Sequence, residues 1–219
     1  MKEDTVKLIS CGQCEGHPCL RRYPDGLPQW CQSRNYQEII EATKTEFLKP
    51  ENMRIHVAAG EVIKKGNNQW TRVQETIQFA KELGVHKVGI AFCVGLHPEA
   101  RELTRYFQQA GFDDTVAVGC TIGGLKDTDT GLPVGFNYPY PGICNPIAQA
   151  EILNKENTEL NVVVGLCTGH DALFIKYSDA PVTVFAVKDR VTCNNPSAVL
   201  FSPYHRLQLN QLYKEKGNK

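Results

Sequence analysis

The chain has 219 residues, 42% of them apolar, and 24 Lys+Arg against 24 Asp+Glu, a formal net charge of zero. That length suits one ordinary domain plus a small appendage, with enough apolar residues for a sizeable core. The charge balance argues against nucleic acid or an anionic membrane as the main partner, and no apolar run approaches the ~18 residues needed to span a bilayer.

The first residues, Met-Lys-Glu-Asp-Thr, are charged and lack the apolar stretch of a signal peptide. The expectation is a cytoplasmic protein with reduced thiols. Nine cysteines are many for such a protein, and the odd number speaks against a disulfide framework. In a reducing compartment they are buried hydrophobes, metal ligands or reactive thiols.

Residues 1–32 are short on apolar periodicity and rich in Gly, Pro and Cys, so they read as a separate metal-binding knuckle. From Ser33, a candidate N-cap, Tyr36, Ile39, Ile40, Phe47 and Leu48 recur at helical spacing up to Pro50. Helical stretches over about 51–65 and 70–83 follow, ending at Gly66 and Gly84, so that 33–84 forms a helical segment of the domain 33–219.

Strands then alternate with helices. Lys87-Val-Gly-Ile-Ala-Phe reads as a buried strand, followed by a helix with Pro98 in its first turn that ends near Gly111. Thr115-Val-Ala-Val-Gly is a second strand, and 121–143 a Gly- and Pro-rich loop. Asn145-Pro146 opens a helix, Leu160-Asn-Val-Val-Val-Gly-Leu is a third strand, and a helix covers about His170 to Tyr177. Pro181-Val-Thr-Val-Phe-Ala-Val is a fourth strand, and a last helix starts near Pro203. This alternation predicts an α/β fold with a four-stranded, parallel, Rossmann-like sheet. Right-handed crossovers favour the order 2-1-3-4, with a crevice at the carboxyl ends of the first and third strands.

The N-terminal spacing is Cys11-x2-Cys14-x4-Cys19-x11-Cys31, with Gly12, Gly16 and Pro18 supplying turns. Four thiolates satisfy a closed, structural zinc site, and His17 is an alternative ligand. An iron–sulfur cluster also takes four cysteines, but zinc is the preferred reading.

Cys93 follows the first strand and Cys167 the third, each in a Cys-x-Gly turn leading into a helix. Gly95 and Gly169 would let backbone N–H groups approach a ligand, and the helix N-termini would favour thiolates. Cys120 ends the second strand and Cys144 precedes the helix at Asn145-Pro146, so four thiols fall at one end of the sheet, with His170 and His97 nearby. Three readings compete. The thiols are buried filler; or some of them, with His170, hold a metal or iron–sulfur cluster for redox chemistry; or one thiol is a nucleophile, Cys167 first and Cys93 next, with His170 as base. Cys193 is a weaker addition to the group. Lys188-Asp189-Arg190 reads as an anion-binding group or as a solvated strand end.

Three motifs are familiar together: Cys-Asn-Pro-Ile-x-Gln-Ala-Glu-x-Leu-Asn (144–154), Gly-Leu-Cys-x-Gly-His-Asp-x-Leu-Phe (165–174) and Ala-Pro-Val-Thr-x-x-x-Val-Lys-Asp-Arg-Val (180–191). With the four N-terminal cysteines they resemble a family of uncharacterised prokaryotic proteins regarded as metal-binding. The resemblance spans nearly the whole chain and implies metal binding but no reaction. It groups Cys93, Cys144, Cys167 and His170, and it leads one to expect a His where Asn194 stands. The functions expected are therefore a metal or redox-cluster protein, a thiol enzyme acting on a small anionic substrate, or a non-catalytic metal sensor or carrier that docks a protein partner.

Overall fold

A computed structural model describes residues 11–21, 26–133 and 142–213 of the chain. They fall into two compact units, Met1–Ala58 and Ala59–Lys219.

In the first unit, two short 3-10 turns, Cys11–Gln13 and Pro18–Arg21, precede helices α1 (Gln32–Asn35) and α2 (Gln37–Phe47). Ser33 is the expected N-cap, but the helix starts one residue before it. Cys31 is the capping residue and its side chain makes no cap bond. Pro50 ends no helix either: it opens α3 (Pro50–Gly66), where its missing N–H costs nothing.

The second unit begins within α3 and continues with α4 (Arg72–Leu83). Thr71 and Gln74 form a reciprocal capping box at the start of α4, and Gly84 closes it in the left-handed conformation. Four strands follow, β1 (Val88–Phe92), β2 (Val116–Gly119), β3 (Leu160–Val164) and β4 (Val182–Ala186). All pair in parallel, in the order β2-β1-β3-β4, which is the order expected from the alternation. The fold is thus α/β and Rossmann-like.

The helices α5 (His97–Gln109), α7 (Pro146–Lys155) and α8 (His170–Tyr177) cover the sheet; α6 (Asp127–Thr130) is a single turn within the expected loop 121–143. Phe92 and Ala117 line a hollow with Ala100 and Thr104 of α5. On the opposite face, α7 approaches β1 so closely that a Cβ on Gly89 would lie 2.9 Å from Leu153 Cδ1 and 2.1 Å from Asn161 Oδ1. Asn154 Nδ2 donates to the Tyr177 carbonyl at 2.8 Å, tying α7 to α8. The helices after β1 and β3 therefore leave on opposite faces, which opens a crevice at those strand ends. Residues of β1 and β3 are almost fully buried, as strands covered on both faces must be, with Phe107 and Phe174 beside them at 0% exposure.

Polar groups buried in this core bond to one another. Thr158 Oγ1 donates to Asn161 Oδ1 (2.8 Å), and Asn161 Nδ2 donates to Ser178 Oγ (2.8 Å). Within 121–143, a 3-10 turn (Ile122–Gly124) precedes α6, while residues 134–141 lie outside the described ones. Two helices close the described chain, α9 (Ala198–Phe201) and α10 (Pro203–Leu212). Among the described residues, no helix is long and apolar enough to cross a membrane.

Candidate functional site

The carboxyl edge of the sheet gathers sulfur. Phe92 of β1 is in register with Gly119 of β2, so the next residues, Cys93 and Cys120, leave the sheet side by side. The Asn145 backbone N–H donates to the Cys120 carbonyl at 2.7 Å, bringing the entry to α7 alongside. Cys144 Sγ consequently lies 3.6 Å from Cys120 Sγ, within reach of a shared thiol proton. Cys167, beyond the end of β3, reaches the same cluster through Lys188, which follows β4. Lys188 Nζ donates to Cys93 Sγ and, at 3.4 Å, to Cys167 Sγ.

Backbone N–H groups also point at this sulfur. Val94 N–H donates to Cys120 Sγ at 3.3 Å and Gly95 N–H to Cys93 Sγ at 3.4 Å. Gly95 lies against the cluster, since a Cβ there would sit 3.7 Å from Lys188 Nζ. Gly169 serves the backbone instead. At φ +87° it turns the chain into α8, and no described atom lies within 4 Å of where its Cβ would be. Gly165 is also at positive φ, +62°, and Leu96 Cδ2 is 2.5 Å from where its Cβ would stand, so β3 can end there only in glycine.

The floor of the site is Gln149, fully buried in α7. Its Nε2 donates to the carbonyls of Val118 (2.7 Å) and Phe92 (3.2 Å), holding the ends of β2 and β1 just before Cys120 and Cys93. Its Oε1 has no hydrogen-bond partner among the described residues. The motif around Cys144 contains Gln149, but nothing in the sequence marks it as the clamp on two strand ends.

The thiols differ in accessibility and acidity. Cys93 and Cys120 are buried, while Cys144 and Cys167 are partly exposed. Cys93 is pushed up to about 12, first by its hydrogen bond with Cys120 and then by burial, with Lys188 acting the other way. Cys120 is also raised, chiefly by its bond with Cys144. The same bond favours the ionised form of Cys144, which lies below the ordinary thiol range despite burial. Burial works against the charge of Lys188, but its contacts with Cys93 and Cys167 outweigh this and keep it an ammonium. The three sulfurs thus form a proton-sharing row in which Cys144 ionises most readily.

The histidine rings make no hydrogen bond to these thiols among the described residues. The His170 backbone N–H donates to the Cys167 carbonyl at 2.8 Å, and its ring makes no hydrogen bond among the described residues. The ring of His97 lies 5.8 Å from that of Phe92, on the α5 side. Cys193 is exposed at φ +53° in the turn after β4. There the Asn194 side chain accepts from Asp189 N–H (3.2 Å) and its own N–H donates to the Asp189 carbonyl (2.8 Å), so Asn194 closes the turn.

The N-terminal cysteines are arranged differently. Cys11, Cys14, Cys19 and Cys31 line one hollow of about 540 Å³ with His17 and Trp30. Cys11 Sγ donates to Gln32 Oε1 at 3.3 Å, and Cys19 Sγ lies 3.4 Å from Ser33 Oγ. Among the described residues, no three His, Cys, Asp or Glu side chains stand close enough together to hold a metal ion.

The family model described as a protein of unknown function, DUF1847, matches residues 31–185, which include Cys31 and all four strand-end cysteines. The chain is also similar to the uncharacterised protein MJ0455 of Methanocaldococcus jannaschii, 37% identical over 202 residues that cover 92% of this chain and 98% of that protein. No solved structure matches it. With a match over most of its length and a relative aligned nearly end to end, this chain belongs to the DUF1847 family of proteins of unknown function.

Proposed function

We propose that this protein is a thiol-dependent enzyme whose reacting group is the Cys144 thiolate, at the carboxyl edge of the sheet. The observation that carries this reading is the sulfur row: Cys144 is the accessible, acidic end of it, and Cys120, 3.6 Å away, is buried. A thiolate, not a thiol, is the nucleophile. Lys188 adds a cation to the site, which suits a small anionic substrate. The same ammonium weighs against the alternative of a metal or iron–sulfur cluster on these sulfurs, because a bound cation would have to displace it from Cys93 and Cys167.

The test is alkylation of the reduced protein by iodoacetamide over a pH series, mapped by mass spectrometry. Cys144 is expected to reach half its maximal rate below the ~8.5 of a free thiol. Replacing Cys120 by Ala should move that midpoint upward. A midpoint at or above the free-thiol value in the unaltered protein overturns the reading.

A second reading concerns the first unit alone. We propose a structural zinc site at Cys11, Cys14, Cys19 and Cys31, supported by their lining of one hollow with His17, in which the side chains would have to draw together around the ion. Zinc there would act as a staple for turns that bury little by themselves. About one zinc per chain by elemental analysis, lost in the Cys11→Ser, Cys14→Ser protein, is the expected result. A metal-free preparation made without chelators overturns it.

A further inference from the structure

We infer that Cys144 and Cys120 are a redox-active dithiol that reduces small disulfides, with Cys144 as the attacking and Cys120 as the resolving sulfur. This rests on the reading of Cys144 as the reactive thiol and adds the substrate class and the fate of the electrons.

Three observations carry it. The two sulfurs are 3.6 Å apart, so a shift of about 1.5 Å brings them to the ~2.05 Å of a disulfide. The hydrogen bond from Asn145 N–H to the Cys120 carbonyl, at 2.7 Å, holds the two backbones side by side, so no refolding is needed to close the bond. And the pair is asymmetric: Cys144 is partly exposed, while Cys120 is 2% exposed with Cys144 Sγ 3.6 Å away. An accessible attacking thiol with a second thiol in reach of the mixed disulfide is an arrangement that supports thiol–disulfide exchange. The lowered pKa of Cys144 and the raised one of Cys120 agree with that division of labour.

The steps balance. The Cys144 thiolate attacks one sulfur of a disulfide R–S–S–R. The substrate S–S bond breaks, a Cys144–S–S–R bond forms, and RS⁻ leaves and takes up the proton that Cys144 released. Cys120 then loses its proton and attacks the Cys144 sulfur. The Cys120–Cys144 bond forms and the second RS⁻ leaves, protonated by the proton from Cys120. The two cysteines are oxidised by two electrons and the disulfide is reduced to two thiols. Lys188, on Cys93 and Cys167, takes no covalent part and supplies positive charge beside the departing thiolates.

The experiment incubates the reduced full-length protein with hydroxyethyl disulfide, quenches with acid and maps disulfides by mass spectrometry. The expected product is a peptide pair joined through Cys120 and Cys144, with two mercaptoethanol molecules released for each pair formed. In the Cys120→Ala protein the expected product is a hydroxyethylthio adduct retained on Cys144. A stable adduct on Cys144 in the unaltered protein overturns this inference but leaves the reactive-thiol reading intact. Joining of Cys93 to Cys120 instead overturns it as well. No reaction at Cys144, together with an unshifted alkylation midpoint, overturns both.

Discussion

The two groups of cysteines in this chain have similar membership and opposite surroundings. In the first unit, four sulfurs face an open hollow beside His17 and Trp30, held by 3-10 turns and by side-chain bonds to Gln32 and Ser33. At the sheet edge, the sulfurs lie against one another, against backbone N–H groups and against an ammonium, in the turns just beyond the strand ends and before α7. Among the described residues, neither α1 nor α2 beside the first group has a buried residue, so a metal in the hollow would supply a scaffold that their packing does not. The second is positioned by the packed core through the strand ends and Gln149. Cysteine count alone does not separate a staple from a reaction site; what holds the sulfurs does.

The sharpest way to break this contrast is to remove metal. Chelation should disorder the first unit, since apparent binding energies of structural zinc are on the order of 10 kcal/mol. Trp30 lines the hollow, so its fluorescence in a Trp70→Phe protein is the readout. An unchanged spectrum after chelation of a zinc-loaded sample would rule out the staple.

The next effect in size tests the rigid scaffold of the second group. Gly89→Ala places a methyl 2.1 Å from Asn161 Oδ1 and 2.9 Å from Leu153, and overpacking of this kind costs about 2–3 kcal/mol. Thermal denaturation should show a clear drop in Tm. No drop would mean that α7 is free to shift from β1, and with it the Cys144 end of the sulfur row.

How far the molecule is legible in the sequence depends on the kind of interaction. The sheet order is legible because strand–helix alternation, runs such as Val-Gly-Ile-Ala-Phe and right-handed crossovers leave few alternatives. That four cysteines sit at one sheet end follows from the same periodicity. Lys188 is legible only in part: its triplet reads as an anion-binding group or a solvated strand end, not as a partner of the thiols. A charged residue after a strand is usually solvated, and only the folding of the β4 exit over β1 and β3 brings its ammonium to Cys93 and Cys167. His170 is a residue whose sequence neighbourhood suggests more than its hydrogen bonds show. Sequence proximity suggests a base for Cys167, but the turn between them is closed by the His170 backbone N–H, and its ring makes no hydrogen bond among the described residues. The short helix α9 carries too little periodicity to be read in advance.

Lys188→Met tests the electrostatic part of the sheet-edge group with the aliphatic stem retained. The ammonium favours the ionised form of Cys144 and opposes the rise of Cys93. Its loss should move the alkylation midpoint of Cys144 to higher pH without a large change in Tm. An unmoved midpoint would reduce Lys188 to a packing residue.

The last expected effect is confined to alkaline pH. Cys93 keeps its proton in the folded protein up to about 12, against an ordinary value of 9.0. Between those values the folded state binds more protons than the unfolded one, so stability falls as pH rises. The contribution is full below the ordinary thiol range and is lost as pH climbs toward about 12. Cys93→Ser should flatten that part of a denaturant-unfolding series, and an unchanged slope would show that Cys93 does not titrate in this way.

Whether the strand-end cysteines and Lys188 form one thiol site is tested most directly by a crystal structure of the reduced protein with sulfur anomalous scattering. The expected result is anomalous peaks for Cys93, Cys120 and Cys144 in a row, Cys144 and Cys120 about 3.6 Å apart, and Lys188 Nζ between Cys93 and Cys167. Sulfurs too far apart to share protons, or a strong metal peak at their centre with Lys188 displaced, would contradict it.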